Sequence, residues 1–220
     1  TEDCKADLVC ESTVKGIRTY TVEHIKSDFP MWKKGADDYY RFSESGYYPD
    51  LLLPADGKIN FKKGITVVWL EIDAALNDTG SHRISLTVAD KRADIDIEII
   101  DAELDFRDFI YTCWFHTDCL MSYYGFDAFS DEYWRVTENF LKTAAEYGMN
   151  CVLTPIFTPP LDTAVGGERP TAQLVDITLS GGKYSFNFDK LTRWIEMSHR
   201  CGISYFEFSH FFTQWDAKKA

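Results

Sequence analysis

The chain has 220 residues, 45% of them hydrophobic and 26% charged, which is the composition of a globular protein. Asp and Glu number 35 against 23 for Lys and Arg, and the net charge of −12 repels phosphate backbones, so no nucleic-acid partner is expected. No segment approaches the roughly 18 consecutive apolar residues of a membrane-spanning helix, so no membrane role is expected either.

Up to about Leu104 the sequence predicts β-strands separated by turns. Segments rich in β-branched residues, several of them alternating between apolar and polar, occur at 17–25, 65–72, 83–88 and 94–100. In the last of these, Asp96 and Glu98 alternate with isoleucines, which indicates one solvated face. We therefore predict an N-terminal β-sandwich domain over residues 1–104, incomplete at its N-terminus.

After Leu104 buried strands alternate with helices. Near-continuous apolar runs, typical of parallel strands, occur at 109–115, 151–157 and 203–209. The helix after the first run is predicted to start at the N-cap Ser130 and to end at Gly148. The second helix is predicted to start at a cap, Asp189, and to end at Gly202.

A hairpin is predicted before the second helix, where two strand-like segments flank a Gly-Gly turn at residues 180–183. Together these elements are the start of a (β/α)8 barrel or of a doubly wound sheet. We predict a mixed β and α/β fold, in which residues 105–220 form the first three strands of a truncated (β/α)8 TIM-type barrel. The open edges of such a sheet are expected to favour self-association.

The ends of the chain and its cysteines bear on its origin. It begins at Thr1 without Met or a signal-like segment, which indicates a removed leader or a start within a longer protein. The 6 cysteines include no Cys-x-x-Cys pair, and their low density favours a reducing, cytoplasmic compartment. No P-loop or Gly-x-Gly-x-x-Gly motif is present, and no cofactor is expected.

Polar and aromatic side chains collect where the three predicted parallel strands end, the place at which α/β proteins carry their chemistry. Residues at these positions include His116, Asp118, Arg169, Glu207, His210, Gln214 and Trp215. A sugar site needs this combination, because polar groups bind ring hydroxyls while an aromatic face covers the C–H surface of the ring.

Other interpretations of these residues stay open. His116 and Asp118 have a spacing that metal hydrolases use, but without a third ligand we predict no metal site. Glu207 could be a structural carboxylate held by hydrogen bonds instead of facing a ligand. Asp131 and Glu132 look like a catalytic acid pair, yet they occupy the first turn of a predicted helix, and helix capping explains them better.

Three stretches, residues 46–54, 153–170 and 205–220, resemble proteins with the DUF4091 domain, the catalytic domain of glycoside hydrolase family 123. The resemblance runs from about Ile17 to Ala220 and implies an N-terminal β-sandwich followed by a (β/α)8 barrel. The characterised members are β-N-acetylgalactosaminidases. One departure is Asp216, which stands where relatives have glycine, so the backbone of that loop is expected to differ.

The resemblance implies an enzyme that removes terminal β-linked N-acetylhexosamine, N-acetylgalactosamine above all, from a glycan. In this family the acetamido oxygen of the substrate attacks the anomeric carbon, an Asp orients the acetamide, and a Glu is the general acid/base. That pair follows the Gln-Trp stretch, so no catalytic residue is assigned within the chain, and this fragment is expected to be inactive. By the same resemblance the seven candidates bind or support the sugar. The alternative is a non-catalytic carbohydrate-binding β-sandwich module with a vestigial barrel segment.

Overall fold

The computed structural model describes residues 4–28, 45–61, 64–102, 109–157 and 170–209. The chain divides into two compact units, Thr1–Glu103 and Leu104–Ala220. Antiparallel sheets make up the first unit, and helices with a parallel sheet and a hairpin make up the second. The predicted mixture of β and α/β structure is therefore confirmed.

The first unit contains two antiparallel sheets and a short 3-10 helix, Ala74–Leu76. Its strands are β1 (Cys4–Ser12), β2 (Ile17–Ser27), β3 (Gly46–Pro54), β4 (Lys58–Phe61), β5 (Val68–Ile72), β6 (Gly80–Val88) and β7 (Lys91–Ile99). The strand orders are β4-β1-β6-β7 in one sheet and β3-β2-β5 in the other. The four predicted segments correspond to β2, β5, β6 and β7.

Three strands of this unit, β1, β3 and β4, were not predicted. In β1 only Leu8 has a buried side chain among the residues whose burial is described, so the strand lacks the alternation that marks a half-buried sheet. In β3 two prolines, Pro49 and Pro54, interrupt the pattern, as expected of a strand at the edge of its sheet.

A small core holds the first unit together. Leu8, Ala55 and Ile59 are buried, and Val68 of the other sheet packs against them. Thr19 of β2 and Ala55 are joined by two hydrogen bonds, from the Ala55 N–H to the Thr19 carbonyl and from the Thr19 hydroxyl to the Ala55 carbonyl, both at 2.9 Å. Side chains from both sheets thus share one apolar cluster.

The second unit contains a parallel sheet of order β12-β9-β8, a separate hairpin and helices. Its elements are β8 (Thr112–Cys113), α1 (Thr117–Tyr124), α2 (Asp131–Glu146), β9 (Cys151–Thr154), β10 (Asp176–Ser180), β11 (Lys183–Asn187), α3 (Asp189–Arg200) and β12 (Tyr205–Phe208). Over the described residues this sheet is open and does not close into a barrel.

Several local predictions for this unit are confirmed. The Ser130 hydroxyl accepts a hydrogen bond from the Tyr133 N–H at 3.2 Å, which caps α2. Gly148 and Gly202, with φ of 95° and 99°, follow the ends of α2 and α3. Gly181 and Gly182 form the turn between β10 and β11, both with positive φ, as a two-residue hairpin loop requires.

Other predictions for this unit were wrong. The first predicted strand, residues 109–115, is confirmed only over Thr112–Cys113, although the Tyr111 carbonyl also accepts hydrogen bonds from the Asn150 and Cys151 N–H groups. Helix α1 was missed, since it is only 8 residues long and has no polar side chain capping it. Asp189 is the first residue of α3 and not its cap, and its N–H donates to the Asn187 side chain at 2.8 Å.

Both longer helices pack on the same face of the parallel sheet. Trp134 and Leu141 of α2, Trp194 and Met197 of α3, and Val152 at the centre of the sheet belong to one buried cluster. The cluster places α2 and α3 on one side of the sheet, and we call the opposite face the open face.

No helix in the described part of the chain is long and apolar enough to span a membrane.

Candidate functional site

The open face of the parallel sheet presents side chains from its two outer strands. In register, Phe206 lies beside Val152, and both pack against the helices. Since side chains alternate along a strand, Glu207 and its partner Leu153 point to the open face. Thr112 on β8 belongs to the same face, because its hydroxyl reaches the Glu207 carboxylate.

Glu207 is the polar centre of the open face. The Trp114 Nε1–H donates to both of its carboxylate oxygens, at 3.3 and 3.2 Å, and the Thr112 hydroxyl donates at 3.4 Å. Glu207 is half-buried, whereas Trp114 is 49% exposed and Leu153, on the strand between them, is buried. The carboxylate therefore bridges β12 to β8 across the face.

His116 and Asp118 lie just beyond the carboxyl end of β8. His116 is the N-cap residue of α1, but its side chain makes no capping hydrogen bond, and it is half-buried. Asp118 is buried in the first turn of α1, where the helix dipole favours a negative charge. A narrow cleft beside them is lined by Phe115, His116, Thr117, Asp118, Leu153, Pro155 and Ala172.

A buried hydroxyl pair supports this end of the sheet. Thr117 and Tyr133 are joined by a hydrogen bond of 3.0 Å between their hydroxyl oxygens. Burial raises the pKa of Tyr133 to about 12, the Thr117 hydrogen bond opposes that rise, and the charge of Asp118 adds to it. The tyrosine is thus neutral at ordinary pH and can serve as a fixed donor or acceptor beside α1.

The carboxyl ends of β9 and β12 are tied together. The Ser209 N–H donates to the Thr154 carbonyl at 3.1 Å, and the Ser209 hydroxyl donates to the Phe157 carbonyl at 3.3 Å. Ser209 and Thr154 are buried. These contacts hold the two strand ends side by side, where the predicted site residues begin.

The structure places three of the predicted site residues at this carboxyl end of the sheet: His116, Asp118 and Glu207. Arg169, His210, Gln214 and Trp215 lie outside the described residues. Sequence reasoning missed Trp114 and Thr112, because both fall within the apolar run at 109–115. Because side chains alternate between the two faces of a strand, residues two positions apart share a face, and this could have placed Trp114 on the same face as Thr112.

The acidic pair at the start of α2 belongs to the helix and not to a site. Asp131 and Glu132 occupy its first turn after the Ser130 cap, as predicted. Glu132 forms an ion pair with Arg135, and a hydrogen bond from that guanidinium lowers the pKa of Glu132. Within the described ranges, no group of three or more His, Cys, Asp or Glu residues is placed to hold a metal ion.

A comparison with protein families gave a match in the second unit. Residues 114–220 match the family model for the catalytic domain of glycoside hydrolase 123. The match covers just under half of the chain, begins at the Trp114 of the open face and includes all seven predicted site residues. The comparison with curated proteins gave no match.

Proposed function

We propose that residues 114–220, which match the catalytic-domain model of glycoside hydrolase 123, contribute to an enzyme that removes terminal β-linked N-acetylhexosamine from glycans. The family match supports a glycoside hydrolase. The resemblance of the three sequence stretches to β-N-acetylgalactosaminidases supports N-acetylgalactosamine as the sugar. The observation that carries the proposal is the family match together with the polar groups at the carboxyl end of the sheet.

The packing is compatible with the barrel that the resemblance implies for the second unit. Strands β8, β9 and β12 are neighbours in chain order, and α2 and α3 share one core on one face. A barrel adds strands in sequence beneath an outer ring of helices, and half of a doubly wound sheet does the same, so the family resemblance is what favours the barrel. In a barrel the open face would line the interior. For the first unit, two antiparallel sheets that share the cluster around Ile59 support a β-sandwich.

The site is proposed to use some of its polar groups to bind the sugar and others to hold the side chains that bind it. His116 and Asp118 come from the end of β8, and Glu207 comes from β12 on the other side of β9. Arg169, His210, Gln214 and Trp215 are proposed to complete the pocket, because they follow the same strands in the sequence. Carboxylates and imidazoles bind ring hydroxyls, and aromatic surface covers the ring carbons.

The proposed mechanism is retaining and assisted by the substrate. The acetamido oxygen of the sugar attacks the anomeric carbon, one Asp orients that group, and one Glu protonates the leaving oxygen and later activates water. The resemblance places this Asp-Glu pair after the Gln214-Trp215 stretch. We assign no residue of this chain to either role, and Asp131 and Glu132 are excluded because they serve α2.

The test is to measure binding and turnover with the same chain. We expect the 220-residue chain to bind methyl N-acetyl-β-galactosaminide more tightly than methyl β-galactoside, which lacks the acetamide, and to leave an aryl N-acetyl-β-galactosaminide uncleaved. His116→Ala should weaken binding, while Glu132→Gln on α2 should not. Hydrolysis well above the blank would overturn the proposal that no residue of this chain belongs to the catalytic Asp-Glu pair. Equal binding of both glycosides would overturn the choice of sugar.

A second candidate function is carbohydrate binding by the first unit. A groove on its three-stranded sheet is lined by Val22, His24, Pro49, Asp50, Leu52, Val67 and Trp69. Trp69 is 52% exposed there, and the same groove holds an imidazole, His24, and a carboxylate, Asp50. Sugar binding that is lost in Trp69→Ala but kept in His116→Ala would favour this function over the first.

A further inference from the structure

We propose that Trp114 is an aromatic platform for the sugar ring and that Glu207 is a positioning residue which holds the Trp114 indole in place. The inference rests on the proposed function, because it concerns how the same site receives its sugar. In this proposal Trp114 contacts the sugar. Glu207 does not contact the sugar and acts only by orienting Trp114. The contact that carries it is the hydrogen bond from the Trp114 indole N–H to the Glu207 carboxylate.

The hydrogen bonds fix the orientation of the indole. Nε1–H is the one polar group of a tryptophan side chain, and here it is shared between both oxygens of Glu207, at 3.3 and 3.2 Å. The carboxylate is itself anchored, since the Thr112 hydroxyl donates to Oε2 at 3.4 Å from the strand that leads to Trp114. A ring held in this way loses less conformational freedom when a ligand binds, which favours affinity.

The indole remains available to a ligand. Trp114 is 49% exposed even though its N–H is engaged, so what it offers a ligand is mainly carbon surface. The axial C–H groups on one face of a galactose-type ring are apolar and pack on such a surface. The position suits this use, because Trp114 follows directly on β8 at the carboxyl end of the sheet, beside His116.

The other tryptophans described in the second unit have a different role. Trp134 is 4% exposed and Trp194 is fully buried, and both belong to the core between the helices and the sheet. Their burial accounts for their presence without any ligand. Burial does not explain Trp114, whose N–H is instead held by a carboxylate reached across an intervening strand.

The two roles predict different mutant behaviour. Trp114→Leu removes the platform and should weaken sugar binding about tenfold, equivalent to roughly 1.4 kcal/mol. Trp114→Phe keeps a ring but removes the N–H, so Glu207 has nothing left to hold. Glu207→Leu should therefore weaken binding in the native chain and have no further effect in the Trp114→Phe background. Glu207→Gln keeps an acceptor oxygen and should restore most of the affinity lost in Glu207→Leu.

The experiment is a titration of the full chain with methyl N-acetyl-β-galactosaminide, followed by the indole N–H signals in ¹⁵N-correlated NMR spectra. The Trp114 signal is identified by its loss in Trp114→Phe, and the signal of buried Trp194 reports that each variant is folded. We expect the sugar to shift the Trp114 signal and the dissociation constants to follow the pattern above.

Three other results would overturn the inference in different ways. If the sugar binds but leaves the Trp114 signal unmoved and Trp114→Leu binds normally, the platform is wrong while the proposed function stands. If Glu207→Leu weakens binding equally in both backgrounds, Glu207 contacts the sugar itself and its positioning role is wrong. If the sugar shifts no signal of the chain and no binding is detected, the inference and the proposed function fail together.

Discussion

Thr117, the first residue of α1, and Tyr133, in the first turns of α2, share a hydrogen bond of 3.0 Å inside the core of the second unit. Thr117 is 2% exposed and Tyr133 is fully buried, so neither hydroxyl can turn to water. The pair joins the helix that carries Asp118 to the helix that covers the sheet. The position of the candidate site at the end of β8 therefore depends on a polar contact in the core.

Loss of one hydroxyl from this pair should destabilise the protein. Tyr133→Phe leaves the Thr117 hydroxyl buried without this partner, and we expect the free energy of unfolding to fall by about 1–3 kcal/mol. Urea unfolding followed by circular dichroism measures the change. Tyr133→Phe combined with Thr117→Val removes both polar groups and should cost less than the two single changes added together. Strictly additive effects would contradict the pairing.

The same tyrosine should make the protein sensitive to alkali. Its pKa is raised to about 12 in the folded chain, mainly by burial, whereas an exposed tyrosine ionises near pH 10. Between these values the unfolded state releases its proton first, so stability is intact below about pH 10 and falls until about pH 12. Two pKa units correspond to about 2–3 kcal/mol.

This prediction is checked by unfolding free energies measured from pH 8 to pH 12. The decline should be shallower in Tyr133→Phe than in the native chain. Tyr184→Phe, at an exposed tyrosine of β11, is the matched control and should keep the native decline. An unchanged slope in Tyr133→Phe would show that other groups cause the alkaline loss.

Removing the hydroxyl of a second buried threonine, Thr137, should increase the stability of the protein instead of decreasing it. Thr137 on α2 is fully buried, and within the described part of the chain its hydroxyl has no hydrogen-bond partner. Thr137→Val replaces that hydroxyl with a methyl group of similar size and should stabilise the fold by about 1 kcal/mol. Thr117→Val, where the hydroxyl has a partner, should instead destabilise it. Thermal unfolding of both variants tests the contrast, and a loss of stability in Thr137→Val would contradict it.

The first unit should become less stable in acid, because it loses the electrostatic stabilisation that two carboxylates provide. A hydrogen bond from Arg83 lowers the pKa of Asp96, and hydrogen bonds from Ser85 and then Arg92 lower the pKa of Asp94. Because these pKa values are depressed in the folded state, the contribution is present above the unfolded-state pKa, near 3.9, and is lost as pH falls through the folded values.

Acid titration of the native chain and of Asp96→Asn tests this contribution. The variant should show a smaller loss of stability below pH 4. The contribution should also shrink in high salt, because both carboxylates are exposed. Glu98→Gln, two residues along the same strand, is the control for removing a negative charge. Equal acid sensitivity in Asp96→Asn and the native chain would contradict the role of the Arg83 pair.

Local signals in the sequence were enough to locate many of the elements. Ser130 caps α2 because a serine hydroxyl suits the free N–H groups of a helix start, and Gly148 follows its end because glycine adopts positive φ easily. Strands such as β7 were found from the alternation around Asp96. Each of these signals spans only a few residues, so it can be recognised in the sequence without knowledge of the fold.

The relation between Trp114 and Glu207 could not be found in this way. The two residues are 93 positions apart, and their contact depends on β8 and β12 lying on either side of β9. Within its own segment Trp114 is one apolar residue among others, and burial in a strand is the simplest interpretation. Its role depends on the face it occupies, which the register of three strands decides. Helix α1 was missed for a related reason, because its buried residues contact α2 and carry little helical signal of their own.

The hairpin of β10 and β11 differs from the rest of the second unit in that all of its residues are exposed on both strands. Among the described strands these two pair only with each other, and the exposed Gly181-Gly182 turn closes them. Growth or trimming of this hairpin by one residue on each strand would disturb no packed contact. It is therefore the place where the length of this unit can vary freely, and where an inserted label or affinity tag would leave the sheet and its helices as they are.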